Sequence, residues 1–511
     1  MIQINRTFTT EDCPKSGQRL YVGAAFFRDS FFEFSTFFLL LYVQLASPIS
    51  SDPDYSRMFL TITMASIAIK VLAGFCWTFA AVLLERHRFK NGNYRTLSFI
   101  GAVLETVFFL LLFFVSPLFS GWGYVAAFLV FDTLVECVYS LNDTPYWAYI
   151  VKISTNEKVR SRVSSLTNVC CSVGIYLVAG IAPAVTGENT RRNMTILALV
   201  LVSFFFVTQM IYVLFLQERE EPWVERKTPL FEPFRILFRD KEIFLVILSS
   251  FLLNLAQDCY IGNSSTYFSY EFGYGTFRSP IEGGVLSGGT FSFLFSLIYG
   301  VGYILAMLLY PLFQSRAGKR KITFAGFFLE ALVLLFLFFF GFVRGKEVLG
   351  LILGFLLGFS VGLPYLANMM NCSNASEYYE WKYGEDRSAS VTSLRAFAYK
   401  AANGIQTGLL YLMLASSGLL TTNRTVASLE AKNPANLADL ANEAIQSTEN
   451  IEGKLTIYRS FLTFLPMAFL LGAMLIMTFS LSFADEKSYL GMVEEIKKRK
   501  NVSSEEARPR K

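Results

Sequence analysis

Asp132, Glu136, Asp143 and Trp147 lie in AFLVFDTLVECVYSLNDTPYWAYI, a stretch otherwise apolar enough to cross a bilayer. Their spacing of four, seven and four residues keeps them on one helical face. An ionisable residue at the centre of a span costs about 2.5–3.5 kcal/mol on insertion scales, against about 0.3–0.6 kcal/mol gained per Leu or Phe. Such a stripe is tolerable only if the acids face protein or a water-filled cavity. Carboxylates there can accept paired hydrogen bonds from vicinal hydroxyls, and the Trp147 indole can stack on the apolar face of a sugar ring. The bland alternative is that Asp132 and Asp143 sit near the two interfaces and snorkel to water. A break is expected at Pro145, near one end, where the helix can bend.

The first apolar stretch repeats the device. FFRDSFFEF carries Arg28, Asp29 and Glu33, the two acids one turn apart. Lys70 on the second span and Lys400 on the eleventh are the expected positive partners, since a buried carboxylate beside a buried amine can stay ionised. Asn254, Gln257 and Asp258 on the seventh span, with Asn403 and Gln406 on the eleventh, add hydrogen-bonding groups. Glu105 and Glu330 read as interhelical glue. Together these groups suit a polyhydroxylated or zwitterionic small solute.

The elements that must hold them are membrane helices. The chain of 511 residues is 53% hydrophobic and only 17% charged, with a mean hydropathy of +0.43, whereas soluble domains carry about 25% charged residues. Spans are expected at roughly 21–46, 57–84, 96–116, 122–150, 163–185 and 194–216, then at roughly 243–262, 289–313, 322–343, 347–371, 389–416 and 457–483. Connectors after even-numbered spans hold about 20 Lys and Arg and those after odd-numbered spans about 9, which places the basic side and both termini in the cytoplasm. The expected organisation is a tail at 1–20, a six-helix half at 21–216, a linker at 217–242, a second half at 243–483 and a tail at 484–511. The linker reads as an interfacial amphipathic helix, with Phe234, Leu237 and Phe238 on one face. The loop from Thr421 to Lys454 falls outside. The polar N-terminal stretch MIQINRTFTTEDCPKSGQRL shows no cleavable signal peptide.

The halves match internally. Phe99, Gly101, Leu104 and Glu105 recur in order as Phe324, Gly326, Leu329 and Glu330, each set following a short basic loop. PYW at Pro145 followed by RVSSL is answered by PYL at Pro364 followed by SVTSL. The fold class is therefore all-α, with about twelve transmembrane helices in two parallel six-helix repeats, the major facilitator pattern.

DTPYW at Asp143–Trp147 resembles the Asp-x-Pro-(Phe/Tyr)-Trp element of the glycoside–pentoside–hexuronide:cation symporters, the melibiose carrier group of the major facilitator superfamily. GAAFFRDSF is similar to that group's first helix, and SEYYEWKYGEDRSASVTSLRAFAYKAANG to its loop into the eleventh. The resemblance implies that Asp29, Asp143 and Trp147 bind sugar, and that Arg28 and Lys400 belong to a charge network linking sugar and cation sites. The group's sodium site rests on two aspartates of the second helix. Here Ala73 and Trp77 stand in those places, and Lys70 nearby would repel a cation. Proton coupling through Glu33, Glu136 or Asp143 is expected in place of sodium.

The function read from the sequence is thus a secondary transporter of a sugar, glycoside or related polar solute, proton- rather than sodium-coupled. It sits in the plasma (inner) membrane among lipids, without nucleic acid as a partner. A lysolipid or amphiphile carrier of the same fold and an uncoupled facilitator are the alternatives. An enzyme is not expected: the one histidine, His87, lies in the charged run ERHRFK, the seven cysteines show no metal-ligand spacing, and no nucleotide motif or cofactor site is visible.

Overall fold

The computed structural model describes residues 7–8, 12–87, 89, 92–154, 157–219, 229–275, 286–384, 387–432, 434–482, 489, 491–492 and 494–495. The first half comprises α1 (Lys15–Ser51), α2 (Tyr55–Arg86), α3 (Asn93–Phe114), α4 (Gly121–Ile153), α5 (Glu157–Ala184) and α6 (Thr190–Phe215). A short linker helix, α7 (Glu232–Arg239), leads to the second half. That half holds α8 (Lys241–Glu271), α9 (Gly288–Ala317), α10 (Lys319–Gly341), α11 (Glu347–Tyr383), α12 (Ser388–Ser417) and, after two smaller helices, α15 (Ile451–Ser480). The smaller pair, α13 (Leu420–Lys432) and α14 (Leu437–Gln446), fills the connector expected as a plain loop. Among the described residues the one sheet is a two-residue parallel pairing of Thr7–Phe8 with Glu218–Arg219.

Several helices outrun their apolar cores. α8 continues past residue 262 because Asn263–Tyr270 are buried in protein rather than facing lipid. α11 runs on to Tyr383 because Cys372, Ala375, Tyr378 and Tyr379 pack with Ile236, Leu237, Ile243, Val391 and Leu394 in a separate core. The linker helix turns Ile236 and Leu237 inward and wedges Phe234 between Phe75 and Phe397, at 4.8 and 5.1 Å between ring centroids. Phe238, placed by the sequence on one face with Phe234 and Leu237 of an interfacial helix, is 78% exposed, while α7 packs inward through Pro233, Ile236 and Leu237.

The internal repeat has a steric basis. Pro145 lies inside a continuous α4 and does not break it. Its missing N–H removes the helical partner of the Leu141 carbonyl, and Gly101 of α3 approaches at just that turn. A Cβ on Gly101 would sit 2.5 Å from the Asn142 backbone nitrogen. In the second half Gly326 of α10 meets Pro364 of α11 in the same way, with Ser360, four residues before the proline, also at its Cβ position. Each glycine is needed for close approach, and each half keeps the same wedge.

The halves meet along α2 against α12 and α5 against α9. Gly404 and Gly408 of α12 receive Ile67 of α2. Gly180 of α5 lies against Phe293 of α9, and Gly300 of α9 against Tyr176 of α5. At the end opposite the basic connectors α13 acts as a clamp. Asn423 accepts hydrogen bonds from Gln44 Nε2 at 2.6 Å and Tyr270 at 2.9 Å, and donates to Tyr55 at 2.8 Å. Glu430 accepts from the Arg191 backbone N–H at 3.0 Å.

Asp240 ties the linker to α11. Its carboxylate caps α8 through the Glu242 and Ile243 N–H groups and accepts from Lys382 Nζ at 2.7 Å and Tyr383 at 3.0 Å. Burial alone would raise its pKa, but Lys382, the Ile243 N–H and Tyr383 together hold it below the ordinary 3.8. A carboxylate depressed on folding contributes stability above its unfolded pKa and loses it as pH falls through the folded value. Thermal unfolding in detergent at falling pH should therefore show Asp240→Asn less stable than wild type at neutral pH, with the difference narrowing as the pH drops below the ordinary carboxylate range.

Candidate functional site

Three buried polar nodes lie along α1, α2, α4, α8 and α12. The first is built on α1, where Arg28 is 1% exposed. Its Nη2 lies 2.6 Å from Asp29 Oδ1 and its Nη1 3.2 Å from Asp143 Oδ1 of α4. The second contact has ion-pair distance without hydrogen-bond geometry, so Nη1 keeps a donor without a partner. The guanidinium carbon sits 3.8 Å from the Tyr146 ring centroid and 5.0 Å from that of Trp147. Tyr146 is fixed by stacking on Tyr21 at 4.4 Å and by hydroxyl-to-carbonyl bonds exchanged between the two residues. Asp143 thus faces protein, not an interface. The arrangement offers two carboxylates, a partly unused guanidinium and an indole to one small volume.

The second node crosses the halves. Lys400 of α12 donates to Glu136 of α4 at 2.5 Å, with the two side chains 0% and 4% exposed. Phe32, Trp77 and Tyr139 form a cage around the ammonium, their ring centroids 4.5, 5.3 and 5.8 Å from Nζ. Each such contact is worth about 0.5–2 kcal/mol. Trp77, where the sequence suggested a lost carboxylate, therefore forms a wall of this cage. Phe32 and Tyr139 are not among the residues that the sequence singles out. Their one signal is placement, beside Glu33 and one turn after Glu136.

The third node centres on Lys70, which is 4% exposed. Expected to pair with a carboxylate, it instead donates to the Thr36 carbonyl of α1 at 2.7 Å and to Thr407 Oγ1 of α12 at 3.1 Å. Thr36 lies in a π-turn, Phe34–Phe38, which displaces carbonyls from the regular helical ladder. Asn403, one turn before Thr407, donates to Asp258 of α8. Glu33 is 3% exposed and its Oε1 has no hydrogen-bond partner. Asp132 is 4% exposed and within electrostatic reach of Glu136, Lys70 and Lys400, so it does not snorkel. Gln406 donates to Asn263 at 2.8 Å.

The paired glutamates differ. Glu330 accepts from Tyr260 of α8 at 3.1 Å and does bridge helices. Glu105 is fully buried and neither oxygen has a hydrogen-bond partner, so the glue reading holds for Glu330 alone. Among the described residues no group of three or more His, Cys, Asp and Glu side chains could hold a metal ion.

Residues 57–482 match the family model described as "MFS/sugar transport protein". The chain belongs to this family of major facilitator carriers, as its likeness to the glycoside–pentoside–hexuronide:cation symporters implies. Among curated relatives it is 21% identical over 429 residues to a lactose permease of Lactobacillus delbrueckii subsp. bulgaricus, covering 80% of this chain and 64% of that one. It is 21% identical over 439 residues to a raffinose carrier protein of Pediococcus pentosaceus, covering 81% and 64%. The chain thus spans just under two thirds of the length of these relatives. A solved peptide transporter in complex with sulfate superposes with a TM-score of 0.55 at 13% identity, covering 85% of this chain and 99% of that one. A bacterial homologue of the human lysosomal transporter Spinster, inward-facing and unoccupied, gives 0.54 at 13% identity over 95% and 98%. These two likenesses carry the fold alone. Among the described residues eleven helices of this family member are long and apolar enough to cross a membrane, or up to twelve if α12 and α13, bent by 107°, count as one span, so it is a multi-pass membrane protein.

Removing one partner of a buried ion pair leaves the other uncompensated, at a cost of about 3–5 kcal/mol. Lys400→Ala should lower thermal stability in detergent by that order, and Lys400→Met combined with Glu136→Leu should recover most of it. Equal losses in the single and double variants would show that the pair is not what the site rests on.

Proposed function

We propose that this chain is a secondary carrier that moves a sugar, glycoside or related polar solute across the membrane by alternating access. The observation that carries this reading is the first node. Asp29, Asp143 and Arg28 present hydrogen-bonding groups beside the Trp147 face, the pairing of polar edge and aromatic face that a sugar ring needs. The relatives named as lactose permease and raffinose carrier support the same solute class. Arg28, Asp29, Asp143 and Trp147 are the proposed solute ligands. Glu33, Glu136, Lys70, Lys400 and Asp258 are the proposed coupling network, working with protons rather than sodium. The protein acts as a carrier, not an enzyme. Its place is the plasma (inner) membrane, with the basic connectors and both termini in the cytoplasm.

Uptake of labelled sugars into proteoliposomes, under imposed proton or sodium gradients, tests solute class and coupling together. The expected result is accumulation of a sugar or glycoside driven by a proton gradient and indifferent to sodium. Binding of lysolipids with no sugar uptake would make it an amphiphile carrier, and sugar equilibration without accumulation under any gradient would make it a facilitator. Asp143→Asn should weaken solute binding by about tenfold or more, the scale of a lost charge-assisted hydrogen bond. Near-normal binding by that variant would remove Asp143 from the solute site.

A further inference from the structure

The Lys70 node has more acceptors than its surroundings use. Lys70 Nζ carries three protons, and two are placed, one on a main-chain carbonyl and one on a hydroxyl. Glu33 Oε1, Asn403 Oδ1 and Thr36 Oγ1 are buried nearby without hydrogen-bond partners. Main-chain carbonyl, hydroxyl and amide oxygens are the ligand types that a hard cation takes. Lys400 has its own carboxylate at 2.5 Å, whereas no carboxylate lies within 4.0 Å of Lys70 among the described ion pairs. The surrounding oxygens also come from both halves: those of Thr36 and Glu33 from the first, those of Thr407, Asn403 and Asp258 from the second.

We propose that the Lys70 ammonium is a tethered coupling cation, seated on the Thr36 carbonyl and the Thr407 hydroxyl, with the buried side chains of Glu33, Asn403 and Asp258 around it. The inference rests on the carrier reading above and names how coupling enters it. Loading the pocket means adding a proton to Lys70, and emptying it means removing that proton. On emptying, the ammonium loses its proton, which leaves by way of the surrounding carboxylates to water on the open side, and a neutral amine remains. On loading, the order reverses, and no ion other than the proton is exchanged. The charged groups that face Lys70 are Glu33 of α1, Asp132 and Glu136 of α4, Asp258 of α8 and Lys400 of α12. The amine fills the pocket at every stage, so sodium has no place to bind. Ala73 and Trp77, just beyond it on α2, need supply no oxygen.

Purified full-length protein tests this through radioactive sodium binding, which needs no solute. Wild type should show no saturable sodium binding. Lys70→Ala, which empties the pocket and leaves its oxygens, should bind sodium saturably, with about tenfold or more signal over wild type. That signal should be displaced by lithium. Lys70→Arg keeps a cation that cannot give up its proton. It should retain solute counterflow while losing proton-driven accumulation by about tenfold or more. Saturable sodium binding by wild type, no added sodium binding by a folded Lys70→Ala, or full proton-driven accumulation by Lys70→Arg would each overturn the proposal. If wild type moves no sugar at all, the carrier reading fails separately, and the sodium measurement still decides the role of Lys70.

Discussion

The contact between Lys400 and Glu136 holds the two six-helix halves to one arrangement of charge. Both side chains are removed from solvent, and the pair joins α12 of one half to α4 of the other. In a low-dielectric interior neither charge is tolerable alone. The aromatic cage of Phe32, Trp77 and Tyr139 excludes water from the ammonium and supplies the favourable ring faces. A separation of the halves must therefore carry this pair along, re-solvate it or neutralise it. The other polar nodes inherit the same condition. Asp29, Glu33, Asp132, Glu136, Asp143 and Asp258 are all buried, against the buried cations Arg28, Lys70 and Lys400. Burying six acids against three cations is costly unless they are paired, and the proposed proton coupling rests on that imbalance.

The scaffold that holds this chemistry is repetitive. Gly101 against the turn before Pro145, and Gly326 against Pro364, set the same close helix approach in each half. In the first half that approach lies beside Asp143, so the wedge that bends the packing also fixes a proposed solute ligand. Two further contacts span the halves at opposite ends: the Asn423 cluster of α13, and Phe234 of α7 between Phe75 and Phe397. Each belongs to a connector rather than to a core helix.

Much of this is legible in residue types and their spacing. The cost of Asp132, Glu136 and Asp143 in an apolar stretch implies a protein-facing stripe, and the matched Gly, Glu and Pro positions imply two similar halves. What escapes has a common physical cause: spacing shows which face a residue shares, but not which partner crosses to it. Lys70 and Lys400 look equivalent as buried amines, yet one finds a carboxylate and the other a carbonyl freed by a π-turn. Trp77 registers as an absence of charge, whereas its ring is a wall around Lys400. Pro145 suggests a break, but α4 runs through it, with Gly101 packed at the same turn. The polar ends of α8 and α11 fall below any hydropathy signal because protein, not lipid, surrounds them.

The central claim is that the proton, held within a charge network spanning both halves, is the ion that accompanies solute. The direct test is the electrical current produced when an uncharged transported sugar is added to protein in a solid-supported membrane, at neutral pH and without sodium. The account predicts a transient inward positive current that grows as the external medium is acidified and does not change when sodium is supplied. A current that appears only with sodium, or sugar uptake with no charge movement at any pH, would contradict it.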